Sequence, residues 1–511
     1  MTMVESRAVP EAFAPNWKHA EDAMIPAERG VRERLSRDEA QSLISEFGEN
    51  ASTIPERVAR ARSWLVLELF ELAWNELTSV ERIVPAGRLR ARVRADLFIL
   101  SYYLARAVDE QRWAEAIEAE AETEPAILAD LHLGLALRSA ARNDLHQALR
   151  HVHFGLDLAG TMKERHPRES LPLLRTKAHL LAQAACYRDA LATCEAAAAR
   201  ALALSDPWET GRCEYSRGFV LWSQGRPVEA IIEFDRALAH TEFAGSSLPR
   251  WIRCCRARAL AMLGRVDEAE TDLAESSHRL PDDLAYLAIA RGQPEVAAAI
   301  LAAHVADPDP FVYALRGIAQ TLLGAVADAE RSLISAEAAF EAGGLTHFAL
   351  ATEIHLAYCK DQKRRGAGRA IVRRAVASLM SRGAHSFAWP HPSVVSWVRR
   401  AVADDPRSAS FAGNVLEEGH RVPVAVRLRE LGLTRRESEI LLYMSLRSGQ
   451  GTLTRKALAA GLEISANTLR VHIMRMRSKL EVRTRGDGAL IAALCDAIGD
   501  VTGDVPSAGR R

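Results

Sequence analysis

One pattern constrains this chain more than any other. "YSRGFVLWSQGRPVEAIIEFDRAL" places a small residue at Gly218, a large one at Leu221, then Gly225, Ala230, Phe234 and Ala237. Closely similar offsets recur as Ala257, Leu260, Gly264, Ala269, Leu273 and Ser276, and again as Gly317, Gly324, Ala329, Leu333 and Ala336. A shorter copy carries Gly292, Ala297 and Leu301. Upstream the pattern thins to Ala178, Leu181, Ala190 and Ala197, then Ala136, Ala148 and Gly155, and finally Ala116. The spacing predicts two antiparallel helices per copy, joined at a glycine turn. Small residues let the two backbones approach, and large apolar ones fill the groove against the next copy. One such hairpin cannot bury its own apolar face, so copies must stack.

The pattern resembles the tetratricopeptide repeat over residues 90 to 380, most clearly from 210 to 340. Copies recur at intervals scattered around the roughly 34 residues of that family. The resemblance implies a helical superhelix whose concave groove takes a peptide, a protein or a small ligand. Alanine, leucine, arginine and glutamate dominate, and alternating β-branched runs are nearly absent, so the whole chain reads as all-α. Seven cysteines with no C-x-x-C do not form a disulfide framework. No signal-peptide core and no run of about eighteen apolar residues is present, so a cytoplasmic protein that does not enter membranes is expected.

The chain carries no net charge, but its charge is unevenly placed. From Arg421 to Arg485 there are fourteen lysines and arginines against five acidic residues. A basic end on an acidic body points to contact with a polyanion. Within that end, Thr434 and Glu437 form a capping-box pattern that opens a helix bearing Ile440, Leu441 and Met444. Thr454 can cap a short second helix, and Ser465 a third. Thr484 and Asp487 open a fourth. On a helical wheel the third helix groups Leu469, Ile473, Met476 and Leu480 on one side. Asn467, Arg470, Val471, Met474, Arg475 and Ser478 fall opposite, the side a major groove would meet.

This end resembles the LuxR-type, or GerE-like, helix-turn-helix domain. The matching residues are Leu433, Thr434 and Glu437; Leu453, Thr454, Lys456, Leu458 and Ala459; Ile464, Ser465, Thr468, Leu469, Arg470 and His472; and Lys479, Leu480, Val482, Arg483, Thr484 and Arg485. The link "SLRSGQGT" is longer than is usual there, and Met474 stands where a basic residue is common, with Arg475 beside it. The resemblance implies base reading by Asn467, Arg470, Val471, Met474 and Arg475. It implies phosphate contacts from Thr454, Arg455, Lys456, Ser465, Thr468, His472, Lys479 and Arg483. A dimer contact through Leu490, Ile491, Leu494 and Ile498 follows, with paired half-sites on DNA. A winged-helix domain is the rival, because "LTRKALA" and "LRVHIMRMRSKL" resemble that class as well. The helical spacing of Leu490, Ile491, Leu494 and Ile498 favours a fourth helix over a β-wing.

The expected layout is a partly disordered segment at 1–50, a helical repeat array at 51–415, a linker at 416–428, a LuxR-type domain at 429–500 and a disordered tail at 501–511. This order resembles the MalT-like regulators without their ATPase module. No P-loop, receiver signature or H-E-x-x-H is present. His146, His151 and His153 do not share one helical face, and Ser393 beside His391 has nothing to make it a nucleophile. No catalytic residue, metal or cofactor is expected. The expected partners are double-stranded promoter DNA, RNA polymerase or a regulatory protein, and an unknown small ligand or peptide in the groove. The alternative function is a repeat scaffold whose helix-turn-helix contacts protein.

Overall fold

In the computed structural model the chain separates into two compact units, Met1–Val415 and Leu416–Arg511. The structure describes residues 30–31, 34–121, 124–162, 166–241, 247–276, 280–303, 309–404, 408 and 411 of the first unit. It describes 434, 436, 437, 440, 458, 459, 462 and 464–479 of the second. The tail at 501–511 and the linker at 416–428 lie outside the described residues. Among the described residues the regular elements are all helical.

The first unit opens with α1 (Arg37–Phe47) and continues as helix pairs. These are α2 (Ile54–Val66) with α3 (Phe70–Glu81), α4 (Arg88–Tyr103) with α5 (Glu110–Ala121), and α6 (Pro125–Ala141) with α7 (Leu145–Thr161). Next come α8 (Ser170–Gln183) with α9 (Tyr187–Ala203), α10 (Pro207–Ser223) with α11 (Pro227–Thr241), and α12 (Leu248–Met262) with α13 (Val266–Ser276). The series ends with α14 (Pro281–Ala290) and α15 (Pro294–Ala302), α16 (Pro310–Leu322) and α17 (Val326–Ala342), α18 (Thr346–Lys363) and α19 (Arg369–Ser381), then α20 (Pro392–Ala401). Partners in a pair pack on each other. The first helices of neighbouring pairs also touch, α10 on α12, α12 on α14, α14 on α16 and α16 on α18.

The small residues do what their spacing requires. A Cβ on Gly218 would lie 2.6 Å from the Phe234 ring, and one on Gly317 would lie 2.6 Å from Leu333. Ala136, Ala148, Ala257 and Ala269 are buried at equivalent crossings. Gly225, Gly264, Gly292 and Gly324 take positive φ where the first helix of a pair ends. Upstream, the same left-handed position is held by Ala105, Asn143 and Ala185, at φ 50°, 59° and 57°. The geometry persists there without the glycine that announces it, at a strain of roughly 1–2 kcal/mol each. Ala116 is only half-buried, and Ile117 and Ala121 are the residues that fill the core of that pair. Leu181 is also half-buried, while Leu180 packs with Ala136, Leu145 and Ala148.

Residues from Arg34 to Asn50, within the segment 1–50 expected to be partly disordered, belong to the folded body. Ser36 and Glu39 close a capping box on α1. Leu35, Ala40 and Leu43 pack with Leu67. Arg34 bonds Asp130, and its Nε lies 2.8 Å from Glu169 Oε2. Asp130 also holds Arg92, so these carboxylates and guanidiniums pair inside the first half of the array.

The array also curls back on itself. Leu145 N donates to Gly343 O at 2.9 Å, and Tyr187 Oη lies 2.6 Å from His347 Nδ1. His385 N donates to Gln224 O at 2.7 Å, while Gln224 Nε2 donates to Gly383 O at 2.8 Å. Upstream turns therefore dock on the last hairpins.

Candidate nucleic-acid interface

The second unit presents one complete helix among its described residues, α21 (Ala466–Lys479). Ser465 caps it: Thr468 N donates to Ser465 Oγ at 3.0 Å, and Leu469 N donates to Ser465 O at 2.9 Å. The turn before it is tight. Leu462 N donates to Leu458 O at 3.1 Å and Ile464 N to Ala459 O at 3.0 Å. This is a helix, a turn and a helix in close succession.

The faces of α21 are sharply divided. Leu469, Ile473 and Met476 are buried, as are Ile440, Leu458 and Ala459 of the preceding segments. Leu480, Leu441 and Met444 lie outside the described residues. Asn467, Arg470, Met474, Arg475 and Ser478 are exposed, and Val471 and His472 are half-buried at the border. Met474 exposes 64% of its surface. Arg470 and Arg475 form no ion pair among the described residues. Ser465 and Thr468 are exposed, with their hydroxyls 2.7 Å apart across the first turn.

Lys479 is placed differently from the other cations. Its Nζ donates to Glu437 Oε2 at 2.7 Å. Glu437 is buried, and the same oxygen accepts from Thr434 N at 2.8 Å, while Glu437 N donates to Thr434 Oγ1 at 3.3 Å. Burial works against the charged carboxylate, but Lys479 and the Thr434 hydrogen bonds together hold its pKa below the ordinary value. One carboxylate thus caps the first helix of the domain and clamps the end of α21 to it. Arg436 Nη2 adds a second tie, donating to Leu462 O at 2.7 Å. The capping box is readable from Thr434 and Glu437. The clamp is not, because no local rule links residue 437 to residue 479.

Thr454, Arg455, Lys456 and Arg483 lie outside the described residues, as do Leu490, Ile491, Leu494 and Ile498 of the fourth helix.

A cationic, exposed helix face behind a tight turn defines a helix-turn-helix module. Residues 431–492 match the bacterial regulatory proteins of the luxR family. The second unit carries a luxR-family helix-turn-helix domain. No curated protein matches the chain. Among solved structures, a Rap protein complexed with competence and sporulation factor is similar at 12% identity and a TM-score of 0.39. The match covers 71% of this chain and 99% of that one. The Cut9–Hcn1 hetero-tetramer of APC/C is similar at 12% identity and a TM-score of 0.38, covering 75% of this chain and 86% of that one. No described helix is long and apolar enough to cross a membrane.

Proposed function

We propose that this protein is a cytoplasmic transcription regulator that binds promoter DNA through α21 and receives a signal, a small ligand or a protein partner, in its helical array. The observation that carries the reading is the division of α21 inside a luxR-family segment: Leu469, Ile473 and Met476 are buried while Arg470, Met474 and Arg475 are exposed. Asn467, Arg470, Val471, Met474 and Arg475 read base edges. Arg470 is suited to the acceptors of a guanine, and exposed Met474 to a thymine methyl. Ser465, Thr468 and His472, with Thr454, Arg455, Lys456 and Arg483, contact phosphates and set the register. Leu490, Ile491, Leu494 and Ile498 pair two copies on adjacent half-sites. Double-stranded DNA is the main partner, and RNA polymerase or a regulatory protein is contacted from the bound state.

The test uses the full chain. Salt titration on random duplex should give a steep slope, and selection from a random-sequence library should yield a preferred operator. Arg470→Ala should then cost about 1–3 kcal/mol of operator binding and blur specificity at one position. A chain without salt-dependent affinity would instead support a repeat scaffold whose helix-turn-helix contacts protein.

A further inference from the structure

The downstream half of the array forms a partly open cavity of about 170 Å³. Its walls are aromatic: Trp222 from the end of α10, Tyr286 from α14, Phe311 from α16, Phe348 from α18, and Trp389 from the segment between α19 and α20. Arg258 of α12 and Asp282 and Asp283 at the start of α14 supply the polar part. Five successive hairpins contribute, so the cavity exists only when they stack.

Three buried polar atoms belong to this lining and find no hydrogen-bond partner among the described residues. They are Trp222 Nε1, Tyr286 Oη and Asp283 Oδ2. The three residues are 6%, 4% and 4% exposed. Buried polar groups are nearly always paired, so these three are candidates for pairing by water or by a ligand. Trp389 adds an independent sign. Among the described residues six non-glycine residues have positive φ, and five of them follow the end of a helix, where that conformation terminates it. Trp389, at φ 56°, does not; it sits in a connecting segment. A bulky residue rarely adopts that conformation. The hydrogen bonds of residues 383 and 385 to Gln224 tie its segment down, and its ring stands 5.5 Å from that of Phe348. The strain delivers an indole to the cavity wall.

The charges select the ligand. Arg258 Nε lies 2.5 Å from Asp283 Oδ1, and its Nη2 lies 3.6 Å from Asp282. One guanidinium faces two carboxylates. Arg258 is engaged by both aspartates, while the buried Asp283 Oδ2 has no hydrogen-bond partner among the described residues. An aromatic cavity with two carboxylates to one guanidinium favours a cation. The indole N–H asks in addition for an acceptor on the ligand.

We infer that this cavity binds a small arylalkylamine bearing an oxygen acceptor, its ammonium on Asp283 and Asp282, its ring between Trp222, Phe311 and Trp389, and its oxygen within reach of Trp222 Nε1. This deepens the sensing role proposed for the array and rests on that reading.

The test is isothermal titration of the full chain, without DNA, using tyramine, its anionic counterpart 3-(4-hydroxyphenyl)propionate, and neutral 4-ethylphenol. Tyramine should bind saturably at one site per chain, and the anion should not bind. Asp283→Asn should weaken tyramine by about tenfold or more, because it removes a charged acceptor, and Trp222→Phe should weaken it by less. Far-UV circular dichroism and a melting curve establish that each variant is folded. If Asp283→Asn does not fold, Asp282→Asn, at a more exposed carboxylate, carries the test in the same direction. The inference is overturned if the propionate binds as tightly as tyramine, which would make Arg258 the anchor. It is also overturned if tyramine does not saturate at millimolar concentration, or binds unchanged to folded variants at both aspartates. Salt-dependent DNA binding is measured separately on the same preparation. A chain that binds tyramine but not DNA therefore sinks the regulator and leaves the cavity, and the reverse result sinks the cavity alone.

Discussion

Replacing Lys479 by methionine separates a structural cation from a DNA-contacting one. Lys479 lies in the segment expected to grip phosphate, yet its ammonium is bonded to a carboxylate whose side chain is 1% exposed. Removing one partner of a fully buried ion pair costs about 3–5 kcal/mol. Here the ammonium side is 34% exposed, so water can reach the gap and part of the penalty is screened. Glu437 also keeps its hydrogen bond from Thr434 N. The discounted cost of Lys479→Met is about 1–3 kcal/mol. Amide exchange of residues 466–479, followed by mass spectrometry on the full chain, reads it as faster opening of α21. Glu437→Gln should rescue much of the loss in the double variant, since no buried charge then remains. The carboxylate also sets a pH dependence. Its folded pKa lies below that of the unfolded chain. The stabilisation is therefore present above the ordinary carboxylate value of about 4.3 and fades as pH falls through the lower folded value. The reasoning is refuted if Lys479→Met leaves exchange unchanged and instead lowers the salt slope of DNA binding by about one, as loss of a phosphate contact would.

Two further outcomes test the array. Gly264→Ala should cost about 1 kcal/mol, because φ is +72° but a Cβ there meets nothing within 4 Å. Gly225→Ala should cost about 3 kcal/mol or more, since its Cβ would lie 2.4 Å from Ser386 N on a backbone that cannot swing away. Denaturant unfolding compares the two directly, and equal losses would refute docking of the 383–389 segment on the Gln224 turn. Burial pushes His347 and His355 down to about 4. The unfolded chain takes up protons below pH 6.5 that these imidazoles refuse, so array stability should fall between pH 6.5 and 4 by about 2–3 kcal/mol for each. Melting curves across that range read the loss, and it should be shallower in His355→Gln.

The division of α21 shows how far local rules reach. Ser465, Leu469, Ile473 and Met476 are related by helical spacing, so cap and core face are legible from a few neighbouring positions. The strong repeats are legible for the same reason, each announced by a glycine between two periodic runs. Where Asn143 takes the left-handed position instead, the hairpin still forms, because packing of Ala136 on Ala148 and Leu145 outweighs the local strain. The fold there is intact and its signature faint. The 34–50 stretch shows its cap and helix locally but not its docking. It is rich in charge, and only the array gives Arg34 its partners at Asp130 and Glu169.

By itself the sequence determined the helices, their pairing into stacked hairpins, and a capped, cationic helix in a basic C-terminal segment. Those features rest on contacts between residues a few positions apart, where periodicity and capping act directly on the backbone. Only the tertiary structure decided which buried charges meet and where a cavity opens. Glu437 meets Lys479, Arg258 meets Asp283, and Trp222 shares a wall with Trp389, because hairpins and turns far apart in the chain are brought together by packing. A cavity walled by five hairpins has no local signature, since each lining residue answers to its own helix and the shared space belongs to none of them.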